Sequence, residues 1–417
     1  MDNSANEFFI GFYRNYHYAR ATLQLFINTP EAYPVSFSVT ASGFSYSGTA
    51  TNLTSTIVTI PSTLEVQSSS ERNKAIYVKA AGNSKITVYG SSLQQYTSDA
   101  FLALPCLDQS LDEYEYYAMC YYGARLPCAL LFVACEDNTR ITTPYGTVTT
   151  LNRLQTYLFE VSGDTTGSRV VSSKPVSFFS SSRCSYVPSN VFACDYLTEQ
   201  LPPTSTWGRK FLVASFSGRR SPEQYRIICS RAATVFTVTC NIHSQTRSYT
   251  LQSAGSWNEI SLADNSLCSI ESNAPILVTQ FAHGSSADGV AADPFMVMIP
   301  PVDQFSNRYV FNVLTFTTNF ITVFVSPEYY QQQRIVFDGS SVASWPWASV
   351  PCSDGTICGY AAGVSMSTGS HVLYHQDLYA RIGLIVYGFS YYDSYGYPGG
   401  LILDAISGRL RSIKVKH

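Results

Sequence analysis

Charge is scarce in this sequence. Of 417 residues only 13 % are Asp, Glu, Lys or Arg, about half the roughly 25 % of ordinary soluble domains. That excludes a disordered chain or a charged coiled coil, both of which depend on charged side chains. The 26 basic and 29 acidic residues leave a net charge of −3 without a basic cluster, so nucleic acid is not an expected partner. Long apolar runs are missing as well. The stretches 128–135 and 381–389 fall far short of the about 18 residues a membrane helix needs, so no membrane insertion is expected. Glycine shows no collagen triplet, and no GxxxxGK[ST] run could cradle a phosphate. No cysteine pair has CxxC spacing, which argues against a zinc ribbon or a thioredoxin-like site. Helical periodicity is nearly absent.

What is present is aromatic and β-prone. Aromatics reach 14 % and apolar residues 45 %, ample for a sizeable core, and the length is that of two to four domains. Short Val/Ile/Tyr/Phe/Thr runs are broken by Gly, Ser, Asn and Pro, the strand-and-turn signature of an all-β protein. One pattern recurs: an apolar strand, an acid, prolines, then an aromatic strand. Ala274–Val278 is followed by Asp293, Pro300-Pro301 and Tyr309-Val310-Phe311, and Lys174–Phe178 by Asp195, Pro202-Pro203 and Lys210-Phe211-Leu212. Lys85–Tyr89 leads to Asp99, Pro105 and Glu113–Tyr116, while Arg381–Val386 runs into Tyr395–Gly400 near the end. The pattern predicts four tandem pseudo-repeats of about a hundred residues, the size of a β-sandwich rather than of a propeller blade. Expected units are 7–112, 113–209, 210–308 and 309–404, with 405–417 a tail or linker; a large β-propeller with two blades per unit is the alternative. String and ring arrangements both fit. The recurring Asp and Pro-Pro read first as linker chemistry, because proline fixes φ and withholds a donor at a strand end.

Eleven cysteines suggest disulfides and an oxidising compartment, against the alternative of buried thiols packing as small hydrophobes. Cys184 with Cys194, Cys229 with Cys240, and Cys352 with Cys358 have separations suited to bridging a loop or strand pair. Cys106, Cys120, Cys128 and Cys135 are further candidates, Cys268 has the least obvious partner, and an odd total leaves one thiol over. Met1–Glu7 shows no basic n-region and no apolar stretch behind it, so an extracellular setting implies a fragment of a longer secreted chain. The sequon Asn52-Leu53-Thr54 is a glycosylation candidate on a surface loop.

Ser173-Lys174-Pro175-Val176, Cys184, Cys194–Pro203 and Trp207-Gly208 resemble the N-terminal domain of the IgGFc-binding protein family. So do Gly369-Ser370-His371, Ile385–Phe389 and Ser394–Leu401, and the resemblance runs from about Glu7 to Asp404. It implies an extracellular, non-enzymatic recognition or scaffolding domain in mucus, matrix or at a cell surface. In the family's namesake this region is associated with binding immunoglobulin Fc, and the full chains are large and disulfide-rich, with von Willebrand type D or EGF-like modules. The domain also occurs in animals lacking immunoglobulin G, so Fc binding is not carried over, and neither is any binding residue.

Enzymatic readings are weaker. His371 and His375 could share a face, yet Val372 stands where a zincin needs Glu, so a satisfied structural pair is expected. Gly363-Val364-Ser365-Met366-Ser367 fails the GxSxG elbow at its last position. Asp195 and Glu199 are the most visible carboxylate pair for glycoside hydrolysis, but an Asp beside Cys194 at a junction more often caps a turn. Asp288, Gly289 and Asp293 could offer oxygens to calcium, without EF-hand spacing; a solvated loop is the plainer reading. No cofactor is expected. Tyrosine is concentrated in 113–122 and 389–397; the first stretch reads as core, whereas glycine and proline mark the second as a loop. Tyr391, Tyr392 and Tyr395 are therefore the candidate recognition residues, since Tyr offers large area, low entropy cost and a polar tip. The expectation is a binding domain for a protein or glycoprotein partner, one part of a larger multidomain chain. A lectin or glycoside-active β-protein is the competing class, and a bare spacer the third.

Overall fold

The computed structural model describes residues 4–16, 20–107, 111–123, 126–242, 246–330 and 332–403, and every regular element among them is a strand or a short 3-10 turn. The expected tail at 405–417 lies outside the described residues. Edge hairpins follow the period of two: in Val35–Ala41 the side chains of Val35, Phe37 and Val39 turn inward and Ser36 and Thr40 outward. Gly43, at φ 71°, closes the tight turn to Phe44–Ala50. Central strands are apolar throughout because both their faces are covered. In Cys128–Ala134, Leu130 and Phe132 enter the core of their own unit while Leu131 and Val133 pack into that of the unit before.

One strand order recurs four times. In the first unit Glu7–Ile10, Ile76–Ala80, Val35–Ala41 and Phe44–Ala50 form one sheet, in that spatial order, and Thr97–Leu102, Thr87–Gln94, Thr22–Asn28 and Thr56–Ile60 the other. The second unit repeats it with Tyr114–Tyr117, Arg169–Ser172, Thr139–Thr142 and Val148–Leu151, and with Cys194–Gln200, Val176–Tyr186, Cys128–Ala134 and Thr156–Val161. In the third, the 15-residue strand Leu267–Phe281 serves both sheets. Its first half pairs with Gly208–Ala214 and Thr234–Cys240, its second with Glu223–Cys229 and Met296–Met298. The fourth has Arg308–Val313, Gly369–His375, Ile335–Phe337 and Ser340–Ser341 in one sheet. Its other sheet is Asp393–Pro398, Ile382–Ser390, Thr318–Val325 and Ile357–Ser365, with Ala348–Pro351 at the edge. The chain crosses repeatedly between the two sheets of each unit, as in a sandwich, whereas a propeller blade is one small sheet of consecutive strands.

The units close on themselves. Thr97–Leu102 lies against both Cys194–Gln200 and Asp393–Pro398, and Met296–Met298 lies against the same two strands. The last strand of every unit therefore meets its neighbours around one centre, and the first unit touches the fourth. Tyr89 donates to the carbonyls of Gly399 (2.7 Å) and Val310 (3.0 Å) across that seam, and Asn28 donates to Val310 O at 2.8 Å. Between last strands the chain passes through the prolines: Pro203 and Pro301 begin the 3-10 turns Thr204–Thr206 and Val302–Gln304 that carry it into the next unit.

Five disulfides join Cys106–Cys135, Cys120–Cys128, Cys184–Cys194, Cys240–Cys268 and Cys352–Cys358. The pairing of Cys229 with Cys240 expected from spacing is wrong. Cys229 ends one strand opposite Ile276 and Cys240 ends the next opposite Cys268, so the two lie apart along the strand that both pair with. Cys240 instead faces Cys268 directly in register, and Cys229 is a buried free thiol whose Sγ lies 3.0 Å from Ser253 O.

Candidate recognition site

The starts of the four last strands are brought together by carboxylates. Asp99 accepts N–H bonds from Ala100 (2.8 Å), from Thr198 of the second unit (3.0 Å) and from Gly396 of the fourth (3.2 Å). Asp195 accepts from Tyr196 (2.6 Å), from Ser98 of the first unit (2.8 Å) and from Ser394 of the fourth (3.3 Å). Glu199 accepts from Met298 N of the third unit at 2.9 Å, and Asp393 from the Ser98 hydroxyl at 3.2 Å. Asp293 N donates to Ser394 Oγ at 2.9 Å. In the first two copies the recurring acid is thus a cross-unit bracket, Asp99 and Asp195 each capping the free N–H groups of neighbouring strands.

Burial pushes all five carboxyls up. Asp99, Asp195 and Glu199 are held well above the ordinary range by desolvation, opposed by the backbone N–H bonds they accept. For Asp195, the neighbouring Asp393, Asp293 and Asp99 add to the effect of burial. Burial lifts Asp293 to about 7, reinforced by Asp393 and opposed by Arg219, and lifts Asp393 to about 7 as well.

Above this junction sit the hairpin tips. Ser390 and Asp393 pair across the turn Tyr391-Tyr392, and Gln94 and Thr97 across Gln95-Tyr96. Both turns need a left-handed residue, and both use tyrosine, at φ 53° for Tyr392 and 66° for Tyr96. A bulky side chain there costs about 1–2 kcal/mol relative to the right-handed region, and retained strain of this kind gathers at functional sites. Tyr391 is 64 % exposed and Tyr96 45 %. Their rings stand edge to face at 6.4 Å, and Tyr391 meets Tyr392 at 4.4 Å. In the second unit Phe192, 62 % exposed, lies tilted against the Tyr186 ring at 6.3 Å, and its carbonyl accepts a 2.7 Å bond from Ser286 N of the third.

Tyr395, expected beside Tyr391 and Tyr392, is in the core. Asp393–Pro398 is buried throughout after its first residue, and the Tyr395 hydroxyl donates to Asn319 Oδ1 (3.0 Å) and accepts from Leu314 N (3.1 Å). Tyr96 and Phe192 carried no local signal, for neither turn contains glycine. Asp393 did have one: it is the acid of the fourth copy, two residues before the aromatic run that marked that copy.

Other candidates fall into structural places. Asp195 and Glu199 are fully buried and committed to neighbouring strands, so neither carboxyl faces solvent. His371 lies between the Phe311 and Phe337 rings, with Nδ1 2.7 Å from Asp338 Oδ2 and Nε2 2.9 Å from Ser367 O. His375 accepts from Asp377 N at 2.9 Å, and its other ring nitrogen is 3.2 Å from Tyr329 O. Asp288 pairs with the buried Arg219 at 2.8 Å rather than facing solvent. Among the described residues, Glu271, Cys352 and Cys358 form the one group close enough to hold a metal ion, and those two sulfurs are joined in a disulfide. Asn52 lies in the loop after Phe44–Ala50, its carbonyl accepting a 3.0 Å bond from Arg308.

Residues 99–388 match a family model described as "IgGFc binding protein". A human protein named IgGFc-binding protein is 26 % identical over 228 residues, which is 54 % of this chain and 4 % of the human one. The chain therefore spans a small fraction of that relative's length. A solved biofilm-associated BSP domain aligns over 97 % of both chains at 7 % identity with a TM-score of 0.14, too low to bear on the fold.

Proposed function

Since the chain belongs to the IgGFc-binding protein family, we propose that it is an extracellular recognition domain that binds a protein or glycoprotein partner without catalysis. Its domains are the units 7–112, 113–209, 210–308 and 309–404, and its setting is mucus, matrix or a cell surface as part of a longer chain. The observation that carries this is the tyrosine cluster of exposed Tyr96 and Tyr391 with half-buried Tyr392, held on strained two-residue turns from two units. Rigid aromatic side chains with polar tips are the usual anchors of protein interfaces. Five disulfides fit an oxidising compartment, and Asn52 is the glycosylation candidate. The Fc fragment of human IgG is the first probe, because a relative is named for binding it; mucus glycoprotein is the second. Y96A/Y391A/Y392A should weaken binding to the responding probe at least tenfold with the Tm of the parent retained. Binding to neither probe, or undiminished binding by the triple variant, defeats the proposal.

A further inference from the structure

The four-way junction holds more acid than its partners can serve. Asp293 Oδ1, Asp393 Oδ1 and Glu199 Oε2 are buried oxygens without a hydrogen-bond partner. Leaving a buried acceptor unmade is costly. A carboxylate cannot help its neighbour, because it only accepts; a protonated carboxyl carries an O–H and can donate. The cation acting on Asp293 is Arg219; its Nε and Nη2 are engaged by Asp288 Oδ2 (2.8 Å) and His283 O (2.8 Å), and its buried Nη1 has no hydrogen-bond partner, so it is not bonded to Asp293. His283 supplies no charge: burial first, then Arg219, lower it to about 4. The other ionisable groups packed there are Asp99, Glu199 and Tyr196, and none of them is cationic. Tyr196 is in turn influenced by Glu65, itself raised to about 7 by burial.

We propose that Asp195, Asp293 and Asp393 form a proton-dependent lock that joins the four units and fixes the Tyr391-Tyr392 and Gln95-Tyr96 hairpins above them. While protons are shared, Ser98 and Ser394 hold the first and fourth units to Asp195 and Asp393. Ionisation of all three places like charges where four strands converge, and the junction loosens. The sign follows from linkage. Asp293 and Asp393 bind protons more tightly folded, at about 7 against an ordinary 3.8, so their contribution to stability is full at low pH and is lost as pH rises toward 7. The lock is independent of the recognition reading; only its consequence, weaker partner binding at alkaline pH, rests on it.

The experiment measures Tm from pH 5 to 8.5 for the parent and D393N, with deuterium uptake of peptides covering 96–102 and 391–398. The parent should lose several degrees between pH 5 and 8 and exchange faster in both peptides after correction for intrinsic rate. D393N, whose amide can donate to its neighbours, should flatten the profile and melt above the parent at pH 8. A D393N profile parallel to the parent's overturns the lock. Should D393N fail to fold, D293N is used in the same way. Infrared difference spectra provide a second readout: the parent-minus-D393N spectrum must show a buried carboxylic-acid carbonyl band at pH 6 that fades by pH 8.5, and its absence at pH 6 also overturns the lock. Fold and binding remain separable, because partner affinity is read only after Tm and exchange.

Discussion

Replacing Arg226 should unfasten the second unit from the third. Its guanidinium is 6 % exposed and donates to Glu259 Oε2 (2.8 Å), Asp164 Oδ2 (2.7 Å), Thr166 Oγ1 (2.9 Å) and the Cys120 carbonyl. It also lies over the Tyr121 ring at 4.1 Å and the Trp257 ring at 4.6 Å. Four of these partners, Cys120, Tyr121, Asp164 and Thr166, belong to the second unit, so one side chain spans the seam. Breaking a buried ion pair from one side costs about 3–5 kcal/mol. Glu259 and Asp164 are each 30 % exposed and regain some water, which points to the lower end. The stacked rings add about 0.5–2 kcal/mol. R226A is therefore expected to cost about 3 kcal/mol or more, read by urea unfolding. R226K should recover only part of the loss, because an ammonium cannot serve this fork of acceptors and stack at once. An R226A/E259A double-mutant cycle should show coupling of about 1 kcal/mol or more. A loss below about 1 kcal/mol in R226A, the range of an ordinary surface pair, would refute the reasoning.

Two further outcomes follow from side-chain placement. Thiol labelling of the unreduced protein should find no reactive cysteine while folded and one after denaturation, and peptide mapping should join Cys240 to Cys268; label at Cys240 in the denatured protein would contradict the register pairing. Y395F should lose about 1–3 kcal/mol, because Leu314 N is left without its acceptor, while partner affinity stays unchanged; impaired binding at parental stability would return Tyr395 to the recognition face.

Much of the architecture was legible in local pattern. Val35–Ala41 shows its inward face by alternation alone, and the recurring acid and prolines marked the ends of the units. The failures share one cause, the distance between sequence neighbourhood and sheet neighbourhood. Cys229 and Cys240 are close in sequence but meet their shared partner strand at different places, Ile276 and Cys268, so it is the remote Cys268 that faces Cys240. Tyr391 and Tyr395 share a tyrosine-rich run, yet the strand begins between them and turns the second ring inward. Ring closure was not legible because it depends on contacts between residues nearly three hundred positions apart, such as Asp99 with Gly396. The same carboxylates look like surface acids in sequence, since nothing local announces that four strands will bury them.

Hydroxyl-radical footprinting of the complex with whichever probe binds tests the recognition face most directly. Tyr96, Tyr391, Tyr392 and Phe192 should become protected on binding, while Tyr379, 82 % exposed in the loop before Ile382–Ser390, should label as before. Equal labelling of Tyr96, Tyr391 and Tyr392 with and without the partner would contradict the account.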